Sequence, residues 1–104
     1  TFFANEIIER MRANSAAAST YTLTPPTTMG KDCATNSCNG TELAAFDLYQ
    51  WNAALTDPVN GLPGGSATIV SLGSATFRIR LFWVEKIDEQ GNQVVVPQDW
   101  TVNI

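Results

Sequence analysis

The sequence predicts an α+β domain in which helices pack on one face of an antiparallel sheet, and three observations carry that prediction. Apolar residues recur at helical spacing in residues 2–13 and again in residues 41–57, they alternate with polar residues over 76–85, and the helical patterns come first along the chain. At 104 residues there is room for one hydrophobic core, so residues 1–104 read as a single domain. A chain of this size buries about 65% of its unfolded surface and needs no metal to hold together.

The first helix carries Phe3, Ala4, Ile7, Ile8 and Met11 on one face, with Glu6 and Arg10 spaced i, i+4 on the outside. Asn14 and Ser15 stop it. The chain opens on Thr1 and two phenylalanines without an initiator Met or a cap, so residues 1–14 read as the end of a longer, truncated N-terminal helix. Phe2, Phe3, Ile7, Ile8 and Met11 together form more apolar surface than one sheet need cover, which makes part of that face a candidate partner interface.

Residues 15–40 are rich in Ala, Ser, Thr, Pro and Asn and read as a long loop, with Pro25-Pro26 and a cysteine pair as its rigid points. Tyr21 and Leu23 alternate with threonines, which suits a short strand or a packed anchor. Cys33 and Cys38 lack the second Cys or His pair of a structural zinc site and the two-residue spacing of thioredoxin-like motifs, which favours a disulfide over two free thiols. Closing so short a loop contributes on the order of 2 kcal/mol and implies an oxidising compartment.

The second helix, residues 41–57, has Asn39 as its cap and Glu42 in the capping-box position, with Asp57-Pro58 as its end. Its inner face is Ala44, Leu48, Trp51 and Leu55. Gly61, Pro63, Gly64 and Gly65 make a turn. Residues 66–104 form the sheet: strands at 67–71 and 76–85, a third at 94–96 that Pro97 interrupts, and a possible fourth at 100–104. In the second strand Phe77, Ile79, Leu81 and Trp83 face the core while Arg78 and Arg80 face away.

The chemistry-bearing residues are few. With no histidine, Ser-His-Asp, Cys-His and zinc-His sites are excluded. Ten carboxylates against six basic residues argue against nucleic acid as a partner, and no run approaches the roughly 20 apolar residues of a membrane span. Asp88, Glu89, Gly91 and Asn92 lack the ligand pattern of a calcium loop and read as a hairpin turn. Glu85 and Asp99 have no partner base and read as solvent-facing strand residues. The segment 62–66 lacks the Lys-Ser/Thr ending of a phosphate loop, and Asn39 of the sequon Asn39-Gly40-Thr41 is wanted as a cap. Trp51 and Trp83 stand at core phases, whereas Trp100 suits either the core or a ligand groove. No catalytic residue, cofactor or metal site emerges.

The order of four segments resembles the PilV-type minor pilins of the type IV pilus machinery: Glu9-Arg10-Met11-Arg12-Ala13-Asn14, then Glu42-Leu43-Ala44-Ala45-Phe46-Asp47 through Trp51, then Leu62-Pro63-Gly64-Gly65, then the strand 77–85. Pseudopilins of type II secretion share the plan. The resemblance implies a pilin-like fold with residues 15–40 as the αβ-loop, and a non-enzymatic subunit that primes pilus assembly and sits in its tip complex. It implies other minor pilins and the major pilin as partners. It also implies a hydrophobic N-terminal helix, absent here, that holds the subunit in the inner membrane with its domain in the periplasm before it joins the extracellular fibre. Major pilins place their disulfide near the C-terminus, whereas Cys33 and Cys38 precede the second helix, which favours a minor pilin. A small secreted module with a ligand site in the long loop is the alternative of a different class.

Overall fold

The computed structural model describes residues 2–22 and 28–104, so the expectations for Leu23 and for Pro25-Pro26 lie outside the described residues. Helix α1 spans Phe2–Ala13, a 3₁₀ helix follows at Ser15–Thr20, and α2 spans Gly40–Leu55. Strands β1 (Ser66–Gly73), β2 (Thr76–Ile87) and β3 (Gln93–Asn103) form an antiparallel meander in the order β1-β2-β3. The arrangement is α+β and pilin-like.

The two helices run antiparallel, tied at three levels. The Trp51 indole N–H donates to the Phe3 carbonyl at 2.7 Å, Arg10 meets Asp47 at 3.0 Å, and the Asn14 amide donates to the Gly40 carbonyl at 2.8 Å. Close approach at the last level needs the glycine: a Cβ on Gly40 would lie 3.0 Å from the Ala17 methyl. The α2 start is the expected capping box, with Asn39 accepting from the Glu42 N–H and the Glu42 carboxylate accepting from the Asn39 N–H. The helix ends at Leu55, two residues before its expected limit. Thr56 turns its hydroxyl back to the Asn52 carbonyl, and Asp57 spends its carboxylate on the N–H groups of Val59 and Asn60.

The sheet's inner face follows the alternation. Ala67 opposes Leu81 and Ile69 opposes Ile79, and all four are buried with Phe77 in one cluster that also holds Ala4, Ile7, Met11, Trp51 and Leu55. On the other face Arg80 bonds Asp99 at 2.7 Å and lies 5.4 Å from the centre of the Phe82 ring. One expectation is corrected: Pro97 does not divide the third strand, and no fourth strand exists among the described residues, because β3 runs unbroken through it opposite Phe82. An edge strand tolerates proline, since a missing N–H directed outward leaves the ladder intact.

Two turns shape the sheet's ends. Ser74 and Ala75 both take positive φ (50° and 59°) in the β1–β2 connection, and the Ala75 carbonyl accepts the N–H of Ile104, fastening the last residue of the chain. At the other end Asp88 accepts from the N–H groups of Gln90 and Asn92 while Gly91 supplies a φ of 86°, which makes 88–92 a hairpin turn. Pairing with β1 ends at Ser66 opposite Phe82, so residues 83–87 and 93–96 continue as a two-stranded arm.

Candidate interaction site

The five residues expected at an interface fall into two groups. Ile7 and Met11 are completely buried and Ile8 is 7% exposed, all within the core cluster. The surface expectation is therefore corrected for these three: α1 is covered by α2 as well as by the sheet, and their side chains have nothing left to present. Phe2 is 67% exposed and Phe3 half-buried, with their rings edge to face and 5.2 Å apart. These two open onto a groove of about 310 Å³ that Leu62, Leu81, Trp83 and Gln98 complete.

Local sequence explains how the groove walls are held. The Leu62 N–H reaches the Leu55 carbonyl at 2.7 Å, the Gly65 N–H reaches the Leu62 carbonyl, and the Val84 N–H reaches the Pro63 carbonyl at 2.7 Å. The turn is thus stitched to both α2 and β2. Gly64 is required there, with φ 57° and no room for a Cβ, which would come within 2.7 Å of the Val84 side chain. Trp83 is oriented by Glu85, whose carboxylate accepts the indole N–H at 2.9 Å. Trp51 is fully buried, whereas Trp100, opposite Ile79, packs half-buried against the core. Asp99 is engaged by Arg80, so Glu85 and Asp99 each have a local structural partner.

The start of residues 15–40 is pinned by a polar cluster that sequence reasoning missed. Tyr21, without exposed surface, donates its hydroxyl to the buried carboxylate of Asp47 and accepts from the Asn14 amide; Arg10 joins Asp47, Gln50 and Glu6. Tyr21 is thus the packed anchor of the two alternatives. The available signal was Asp47 lying three residues from Ala44 on the inner face of α2. Burial, and then the bond to Asp47, push the Tyr21 phenol well above its ordinary value. A phenol that keeps its proton in the folded state while the unfolded chain loses it near pH 10 lowers stability as pH rises past that point. Tyr21→Phe is expected to remove that part of the alkaline loss and to cost about 1–2 kcal/mol at neutral pH; urea unfolding at pH 7 and pH 10.5 checks both.

Cys33 and Cys38 are joined, their Cα atoms 5.7 Å apart. The disulfide loop is bracketed by Lys31, whose ammonium lies 3.7 Å from the Glu42 carboxylate, so the segment is fastened to the first turn of α2.

Residues 2–49 match a family model described as Tt1218-like, type IV pilin Tt1218, which takes in α1, the residues between the helices and most of α2. No curated protein and no solved structure matches the chain. Over residues 2–49, fewer than half of its length, the chain is similar to a type IV pilin family, and its arrangement of helices and sheet is consistent with a pilin-like fold.

Proposed function

We propose that this chain is the globular domain of a minor pilin that primes type IV pilus assembly and occupies the tip complex with other minor pilins. The observation that carries this reading is the type IV pilin match over residues 2–49 joined to the order of two helices and an antiparallel sheet. The disulfide before α2 supports a minor rather than a major subunit, because its short loop fastens the αβ-loop and leaves the last strand unstapled. Before assembly the subunit sits in the inner membrane with this domain in the periplasm, held by an N-terminal segment upstream of residue 1. Phe2 and Phe3 are its proposed contact residues; the described residues contain no helix long and apolar enough to cross a membrane.

Deleting the gene is expected to lower surface piliation and twitching, with both restored by the full-length gene. Unchanged piliation would overturn this reading and favour the small secreted module. Normal piliation with a loss of protein secretion would point instead to a type II secretion pseudopilin.

A further inference from the structure

We propose that the outer face of the two-stranded arm is a self-association site, on which a second copy of this chain stacks antiparallel about a two-fold axis. The proposal is independent of the pilin reading and concerns the side of the sheet that the helices leave bare.

The faces of the arm follow from its register. Phe82 opposes Pro97 and Val84 opposes Val95, and these residues alternate with buried Leu81 and with Trp83, so they face outward. Between Val84 and Lys86 the register slips by one residue, which leaves Ile87 opposite Gln93. Gln93 lies two residues from Val95 on β3, so the slip turns Ile87 onto the outer face as well. Ile87 is 66% and Val95 54% exposed, Pro97 is exposed, and Phe82 and Val84 are half-buried. Together they form one apolar strip on a ribbon that is only marginally stable by itself. The strip lies away from both ends of the described chain: Phe2 adjoins Trp83 on the inner face, and Ile104 is fastened at the β1–β2 turn, at the far end of the sheet.

Charge decides the occupant. Arg80 is taken by Asp99, Glu85 holds the Trp83 indole, Asp88 serves the N–H groups of its own turn, and Lys86 opposes Val94 and so belongs to the inner face. What remains is Arg78 at the base of the strip and Glu89 at its tip, both exposed and neither in an ion pair among the described residues. At about 3.3 Å per residue, Arg78 stands about 20 Å from Val84 on one side and Glu89 about 15 Å on the other. A two-fold axis between stacked sheets, crossing the strands at the Phe82–Val84 level, lays the strip on itself and sets each Glu89 over Arg78 of the other copy. Stacked sheets lie about 10 Å apart, a gap that a glutamate and an arginine span between them. Parallel stacking would set Arg78 on Arg78 and Glu89 on Glu89, and an uncharged partner would leave both unanswered. The strip measures on the order of 10 by 20 Å, well below a standard interface, so the dimer is weak, and its two-fold symmetry closes it at two copies.

Sedimentation equilibrium of the chain of residues 1–104, from about 10 μM to about 1 mM, tests the assignment. A monomer–dimer equilibrium with a dissociation constant of about 100 μM and no larger species is expected. Val95→Asp places a charge in the strip and is expected to weaken the dimer at least about tenfold. Arg78→Glu and Glu89→Arg, both at exposed positions, are each expected to weaken it about tenfold, because either change sets like charges together at both ends. An equimolar mixture of those two variants is expected to dimerise as the wild type does, since each chain supplies the charge that the other lacks. Near-UV circular dichroism confirms that every variant is folded. A wild-type chain monomeric at about 1 mM, a dimer indifferent to Val95→Asp, a mixture no better than its components, or growth beyond the dimer would each overturn the proposal. So would a monomer that binds phosphatidylcholine vesicles through Val95, which would make the strip a lipid contact. Loss of the dimer together with lost piliation in the deletion strain removes only this assignment, and a dimer together with normal piliation removes only the pilin reading.

Discussion

Ile7→Asp is expected to abolish cooperative folding. Ile7 has no exposed surface and sits in the cluster shared by α1, α2 and the sheet. Replacing it forfeits roughly 2–3 kcal/mol of apolar burial, and an unpaired carboxylate in that interior adds several kcal/mol more. A domain of this length has about 5–15 kcal/mol in total, so the substitution consumes most or all of it. Far-UV and near-UV circular dichroism with thermal melting checks the outcome. Ile7→Val, which removes one methylene, is expected to stay folded and lose about 1 kcal/mol. A folded Ile7→Asp protein with the wild-type midpoint would mean that this residue faces solvent and that the buried face of α1 is assigned to the wrong side. One practical result is that a functional loss in an Ile7→Asp strain would report unfolding, so tests of the proposed assembly role belong at Phe2.

Trp51→Ala is the second large effect, expected at about 3–5 kcal/mol. Two losses combine in it. The indole is the largest fully buried side chain, and its N–H is the bond to the Phe3 carbonyl that closes the helix pair at the groove end. Trp51→Phe separates them, keeping most of the packing while removing the bond, and should cost about 1–2 kcal/mol beyond the small change in volume. Urea titration of the three proteins measures both steps. A Trp51→Ala protein with an unchanged midpoint would place the indole on the surface.

The elements that sequence patterning described well are those whose signal is local. The i, i+4 spacing of Phe3, Ile7 and Met11, the Asn39–Glu42 box and the alternation of Phe77, Ile79 and Leu81 each depend on a few neighbouring residues, and each appears as expected. The errors came from long-range structure. Pro97 read as an interruption because strand position in the sheet cannot be seen in the strand itself, and only its place at the edge makes it tolerable. The apolar surface on α1 exceeds what one sheet covers, and α2 covers the remainder. Tyr21, Asp47 and Arg10 are separated by up to 37 residues, and no spacing rule joins a tyrosine in a small-residue loop to a carboxylate on a helix. The groove was half visible: Phe2 and Phe3 stood out, while Leu62 and Gln98 reach it only because the glycine turn and β3 carry them there.

The antiparallel pairing of α1 and α2 has a mechanical consequence. Tension entering at the start of α1 acts along the helix axis and parallel to its seam with α2. Trp51 on Phe3, Asp47 on Arg10 and Gly40 on Asn14 then bear the load side by side, in shear, and the helix cannot be peeled away one tie at a time. A pull across that axis, prising the helices apart from one end, would meet the same three contacts in succession. The domain's resistance to force therefore depends on the direction of pulling, and the strong direction is the one in which α1 points.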